Sequence, residues 1–356
     1  MRKTVPRQPP ASNVTIKDVA EHLGISHSTV SRALADHPYT NADTKERVRQ
    51  AVEKLGYVPH AAARGLRQDK GTLVGLIIPE LQNELAVVMA QTIAAQCLKA
   101  GLQMVLAVTG DDPQVEYQHV KALREARARG IIITASPAIF DKTIELLHVI
   151  PTTQFSRRNP LLAAPSVAVD GDQGVFIATQ HLLQLGHTRV AYVGMDVDKS
   201  TGAERLAGFL RAHKQVGARL DPSLQRLGPA MADFGRASVG DLLHLGKPPT
   251  ALVLGAGSMT MGALMALRQA GLDTPGDISL VGFGDPSWYA LWTPGITAIG
   301  LPMVEMAEAT AAVLMRQMAP GAQTEPRTTA HIKMEPRFLM RGTTAPIQRR
   351  GAKRRA

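Results

Sequence analysis

From Leu73 onward the chain alternates short, nearly continuous apolar runs with longer amphipathic stretches, and this alternation constrains its architecture more than any other feature. LVGLIIP, QMVLAVT and GIIITA come first, and SVAVD, RVAYVG, ALVLG and ISLVGFG follow. A Val/Ile/Leu run without polar alternation has no solvent-facing side. It predicts strands covered by helices on both faces, the arrangement of parallel sheets. Two such sets, over 72–168 and 170–297, precede a returning segment, ITAIGLP, and its helix. The pattern predicts a body over 71–340 made of two similar Rossmann-like α/β lobes with several crossovers. Lobe 1 is expected at about 72–168 and 299–327, lobe 2 at about 170–297 and 328–340.

Residues 13–58 read differently. Ile16, Val19, Ala20 and Leu23 fall on one face of a short helix, and Thr15 with Asp18 makes a capping-box-like start. Gly24-Ile25-Ser26 breaks the pattern, and Ser26 can cap a second helix over His27–Leu34. Asn41 can cap a third, whose apolar face holds Val48, Ala51, Val52 and Leu55. Three short helices with a tight turn between the first two predict an all-α helix-turn-helix head. The second helix offers His27, Ser28, Thr29, Ser31 and Arg32 to its surroundings. Small polar groups allow close approach to a major groove, and one guanidinium can fork onto guanine O6 and N7.

The run TIKDVAEHLGISHSTVSRAL, continuing into TKERVRQAVEKLGYVPHAAARGL, resembles the head of the LacI/GalR family of bacterial transcription regulators almost without gaps from Thr15 to Leu66. The resemblance implies that His27, Ser28 and Arg32 read bases. It implies phosphate contacts from Thr15, Ser26, Thr29, Ser31, Tyr39, Asn41 and Tyr57. It also implies a hinge over 59–70 that is helical only when docked on DNA and on its twin. There Leu66 would wedge between base pairs in the minor groove, followed by Arg67. His60 stands where the family commonly has Asn.

The resemblance extends over the body, through VDGDQGVFIATQHLLQLGHTRVAYVG, RLAGF and DISLVGFGD. It implies a periplasmic-binding-protein-like architecture that binds a small effector between the lobes and supplies a homodimer surface. Arg205 matches an effector-contacting arginine, Thr134 and Ser156 match cleft-facing positions, and Asn83 lies near them. Ala256-Gly257 stands where the family often has Asn-Asp, Gly284 replaces an Asp and leaves Asp285 beside it, and Leu85 replaces an aromatic. Those missing groups typically hold sugar hydroxyls and stack on rings. Arg157 and Arg158 beside Arg205 suit a carboxylate or phosphate instead, so an anionic metabolite is expected; Arg157-Arg158 as a solvated loop is the other reading. The alternatives for the whole chain are a regulator with a degenerate effector site or a solute-binding protein of a transport system, which shares this body.

Charge agrees with a polyanion partner. Of a net +10, residues 1–70 hold 12 Lys/Arg against 7 Asp/Glu, and 341–356 hold 6 Lys/Arg and no acid. The rest is near neutral, so operator DNA is expected at the basic ends, a disordered arm over 1–12 and a disordered tail over 341–356. No apolar run approaches the ~20 residues of a membrane span, no signal-like segment follows the basic N-terminus, and Cys97 is the sole cysteine. A cytoplasmic protein is expected, with no membrane partner. Enzyme signatures fail. The turn at Gly255-x-Gly257 has Thr260 where a dinucleotide fingerprint needs its third glycine, and no phosphate loop, HExxH or GxSxG occurs. His181 and His187 flank a helix end and read as structural. No catalytic residue, metal or cofactor is expected.

Overall fold

A computed structural model describes residues 14–57, 71–81, 84–319, 321 and 329–347. The expectations for the arm over 1–12, for Leu66 and Arg67 in the hinge, and for Asn83 lie outside them. The chain divides into two compact units at Gly71.

The first unit is built from three helices, α1 (Ile16–Leu23), α2 (His27–Leu34) and α3 (Ala42–Leu55). Each start follows from its capping residue. The Asp18 carboxylate accepts from the Thr15 backbone N–H at 2.6 Å and the Thr15 hydroxyl at 2.8 Å. Ser26 Oγ accepts from Thr29 N–H at 3.2 Å, and Asn41 Oδ1 from Thr44 N–H at 2.8 Å. Gly24, in the left-handed region at φ 65°, ends α1 and turns the chain into α2. Val19, Ala20, Val30, Ala33, Val48, Ala51 and Tyr57 form the buried core, to which all three helices contribute.

The second unit begins with β1 (Leu73–Ile78), α4 (Glu84–Lys99), β2 (Gln103–Val108), α5 (Pro113–Glu125), β3 (Gly130–Ile133), α6 (Asp141–His148), β4 (Thr152–Phe155) and β5 (Ser166–Val169). Across Asp170 it continues into α7 (Gly171–Gln184), β6 (Val190–Met195), α8 (Ser200–Gln215), a short 3₁₀ turn and β7 (Gln225–Gly228). Next come α9 (Ala232–Leu243), β8 (Ala251–Leu254), α10 (Gly257–Gln269), β9 (Ser279–Phe283), α11 (Trp288–Leu291) and β10 (Ala298–Gly300). The described part closes with α12 (Met303–Met318), β11 (His331–Met334) and β12 (Arg337–Leu339). One sheet runs β11-β5-β4-β3-β1-β2 and the other β12-β10-β9-β8-β6-β7. Every pair is parallel except β10 with β12. Apart from the sixth strand, each lobe has the same doubly wound order, with its first and third strands adjacent. That junction is where such sheets open a crevice for ligands.

Two boundaries differ from the sequence reading. Residues 298–300 stay in the second sheet, and it is α12 that returns to the first lobe, packing on α4, β3, β4 and β5. Residues 331–334, expected in lobe 2, pair with β5 in lobe 1. Apolar periodicity marks a strand but not its partner, so β11 and β12, separated only by Glu335-Pro336, could not be assigned to opposite lobes from pattern alone. The tail was also set too early. Arg341 to Ile347 pack on lobe 2: Thr343 is buried, and the Ile347 N–H donates to the Leu185 carbonyl at 3.0 Å. His181 and His187 hold this segment, bonding Thr344 Oγ1 at 3.0 Å and the Ala345 carbonyl at 3.0 Å.

Lobe 2 depends on close helix contacts. A Cβ on Gly262 of α10 would lie 1.9 Å from the Ala232 carbonyl oxygen at the start of α9, and one on Gly208 of α8 would lie 2.1 Å from the Asp172 carbonyl oxygen of α7. Backbone cannot retreat as a side-chain tip can. Gly262→Val is therefore expected to lower unfolding free energy by about 3 kcal/mol, the upper end of typical overpacking costs, in urea titration of the full chain. Wild-type stability in that variant would show that the helices part freely.

Candidate nucleic-acid face and interlobe cleft

On the head, His27 and Arg32 are exposed on α2 and Ser28 is partly exposed beside them. Ser26 Oγ contacts the Ser28 and Thr29 hydroxyls at 2.8 Å each, so the first turn of α2 presents a linked hydroxyl cluster. Arg32 Nε reaches the Ser28 carbonyl only at 3.4 Å, leaving the guanidinium fork open. Thr15 and Asn41 are exposed at helix starts, Ser31 is partly exposed, and Tyr39 is 91% exposed on the loop between α2 and α3. Tyr57 differs: it is 7% exposed and part of the head core. The head thus gathers His27, Ser28 and Arg32 on one short helix with a small-residue approach, the chemistry of base-edge reading.

Within the body, Arg205 on α8 lies at the junction of β6 and β8, the lobe-2 crevice point. Nη1 donates to the Gly255 carbonyl at 2.6 Å and contacts Met195 Sδ at 3.8 Å. The guanidinium stacks 3.7 Å from the Phe283 ring centroid. Among the described residues no carboxylate forms an ion pair with it, and Nε is buried without a hydrogen-bond partner. Burial pushes its pKa down to about 10. The nearby Tyr192 hydroxyl is likewise buried and unpartnered, and burial pushes its pKa up. Buried polar groups are normally satisfied, so two such groups at one crevice mark it as chemically incomplete by itself.

Lobe 1 contributes Thr134 at the end of β3, buried, with Oγ1 donating to the Phe155 carbonyl at 2.9 Å. Ser156 follows β4 at φ 63°, in the left-handed region. Arg157 does not reach toward Arg205 as expected. It is buried, its Nε donates to the Ala135 carbonyl at 2.9 Å, and its fork grips Asp111, with Nη1 at 3.2 Å. Asp285 is also committed elsewhere, to Arg341 at 2.7 and 2.9 Å. Both pairs join residues far apart in sequence, which is why residue type alone made these side chains look available. Arg158 is exposed, and its backbone N–H donates to Ser200 Oγ at 3.1 Å.

Sequence reading missed the contacts that bridge the lobes. Lys199 Nζ reaches Asp111 at 3.0 Å, and Glu84 accepts from Ser287 N–H at 2.9 Å and its hydroxyl at 3.0 Å. Burial raises the Asp111 carboxyl, but hydrogen bonds and charge from Arg157 and Lys199 outweigh it and hold the group below its ordinary value. Behind it, Glu116 is fully buried; Oε2 accepts from Ser136 N–H at 2.7 Å and Oε1 has no partner. Burial pushes its pKa up to about 7. A carboxyl raised on folding loses stability as pH climbs from its unfolded value through the folded one. Glu116→Gln is accordingly expected to raise the melting temperature at pH 8 more than at pH 5. A difference independent of pH would contradict the assignment.

A helix-turn-helix unit and a two-lobed α/β body with an incomplete interlobe crevice define a DNA-binding sensor. A profile of the lacI family of bacterial regulatory proteins matches residues 15–60, and a periplasmic binding protein-like domain profile matches 179–344. An HTH-type regulator from the aml 5' region of Streptomyces limosus is 30% identical over 357 residues, covering 97% of this chain and 98% of its own. The regulator GalR of Escherichia coli K12 is 30% identical over 294 residues, covering 82% and 86%. The crystal structure of the Lac repressor dimer bound to operator and the anti-inducer ONPF superposes with a TM-score of 0.80 at 24% identity, covering 94% of this chain and all of that one. The chain belongs to the LacI/GalR family of bacterial transcription regulators. It is a DNA-binding regulator with an effector-binding domain, not an enzyme.

Proposed function

We propose that this regulator is a cytoplasmic homodimeric repressor whose operator affinity is set by a small anionic metabolite, such as a sugar acid or organic acid, bound between the lobes. The observation that carries the effector reading is Arg205, a buried cation with no anionic partner at the lobe-2 crevice. A ligand carboxylate or phosphate would supply what Nε lacks, and Thr134 at the end of β3 and Ser156 after β4 are the lobe-1 positions that join it in this reading. Arg157 and Asp285, already ion-paired, shape the cleft rather than bind the ligand. His27, Ser28 and Arg32 read base edges in a near-palindromic operator. Thr15, Ser26, Thr29, Ser31, Tyr39 and Asn41 hold phosphates, and the hinge sets Leu66 and Arg67 in the minor groove.

Self-association draws support from exposed apolar side chains at corresponding sheet edges. Val105, Leu106 and Val108 lie on β2, and Leu227 and Met231 lie on or beside β7, with Met261 and Met265 on α10. Calorimetry against matched sugars and sugar acids tests the effector class. Binding by an acid and not by its neutral counterpart is expected; the reverse would overturn the anionic reading.

A further inference from the structure

The edge of lobe 1 at which the chain enters the body is basic. Thr72 and Leu73 open β1 there, and their carbonyls accept from Gln103 N–H and Arg129 N–H at 2.8 Å each. The turn before β3 therefore lies beside the entry point. Helices α4, α5 and α12 end at the same edge, where Arg129 Nη2 donates to the Met318 carbonyl at 3.4 Å. Lys99, Arg124 and Arg316 stand in their last turns, all exposed, and Arg127 is exposed on the turn after α5. Among the described residues none of these four side chains enters an ion pair, and Glu125, the acid at the end of α5, is already 3.8 Å from Lys121. Cations in a last turn offset the helix dipole wherever they occur, and that alone accounts for Lys99, Arg124 and Arg316. Arg127 is different. It stands beyond α5 at φ 56°, the left-handed conformation that glycine adopts after α1, α3, α4, α7, α8 and α10. A Cβ is strained there, and a charged side chain occupies the position nonetheless.

Thirteen residues, 58–70, separate the described parts of the head and the body. Fully extended they span ~45 Å, so a duplex bound by the head stays within reach of the edge at which the chain enters. Unpaired Lys and Arg on such an edge suit a phosphate backbone, where each contact releases condensed counter-ions. We propose that this edge of lobe 1 is a second DNA contact, with Arg127 and Arg124 against backbone phosphates and Lys99 and Arg316 strengthening the field. It positions the duplex without reading it, since phosphates are alike at every base pair. The contact rests on the head's DNA binding and makes no demand on the effector or its cleft.

The test is the salt dependence of duplex binding by the full chain, read by fluorescence anisotropy on a mixed-sequence duplex. Each lost phosphate contact lowers the slope of log affinity against log salt by about 0.9. Arg124→Gln combined with Arg127→Gln is expected to lower it by about two per chain and to weaken binding about tenfold at ~0.1 M salt. Lys214→Gln combined with Arg219→Gln removes two exposed cations at the end of α8 in lobe 2 and should leave the slope unchanged. Arg127→Gly alone should lower the slope by about one while melting at or above wild type, because glycine suits that backbone. An unchanged slope in the Arg124 and Arg127 variant, or an equal fall in the Lys214 and Arg219 variant, would overturn the contact. Weaker binding at an unchanged slope would also overturn it, by placing the arginines against protein rather than phosphate. No duplex binding by the wild type would strike both this contact and the head's.

Discussion

Arg32→Ala is expected to lower operator affinity by between about 30-fold and 10⁴-fold. A forked arginine–guanine contact is worth about 1–3 kcal/mol, and a two-fold symmetric dimer makes it twice. The structure leaves the fork open, since among the described residues the Arg32 side chain makes only the 3.4 Å contact from Nε. Loss of the fork should also relax preference at one base pair per half-site while leaving non-specific, salt-sensitive binding nearly intact. Arg32 lies outside the head core, so the variant should melt like the wild type. If affinity for selected and random duplexes fell equally, Arg32 would be a phosphate contact and base reading would belong to other residues.

Arg205→Met should have the second largest effect. Removing a buried charge partner typically costs about 2–5 kcal/mol of binding, so effector affinity should fall about 30-fold or more. Operator affinity without effector should change less than about threefold. The stability consequence runs in the opposite sense from most core substitutions. Arg205 has no counter-ion and an unpartnered Nε, so an apolar side chain of similar length removes a desolvated charge rather than breaking a pair. Melting at or above the wild-type temperature is expected in the absence of ligand. A marked destabilisation with unchanged effector affinity would mean that Arg205 serves the fold through Gly255 and not the ligand.

How much of this was legible from sequence follows from how far apart the partners lie. The head was readable because its determinants are local: Thr15 with Asp18, Ser26 with Thr29 and Asn41 with Thr44 are each three residues apart. Strands β1, β2, β3, β5, β6, β8 and β9 were readable for the same reason, as continuous apolar runs, whereas QRLG of β7 and HIKM of β11 carry no such run. Strand partnership was not, and β11 and β12 were placed together although they join different sheets. The cleft was the hardest part. Arg157 looked free until Asp111, 46 residues away, was seen in its fork, and Asp285 until Arg341, 56 residues away, was seen beside it. Arg205 stood out by resemblance, and the structure adds that among the described residues it is a buried cation with no carboxylate partner and an unpartnered Nε.

The most direct test of the account is selection of bound sequences from a random duplex pool by the purified full-length protein at moderate salt. The winning duplex would then be titrated with and without a panel of organic and sugar acids. Recovery of a near-palindrome with a flexible central step, bound with an affinity that one acid changes by about fivefold or more, is the predicted result. Recovery of no consensus, or of a consensus whose affinity no small molecule alters, would contradict an effector-controlled operator-binding protein.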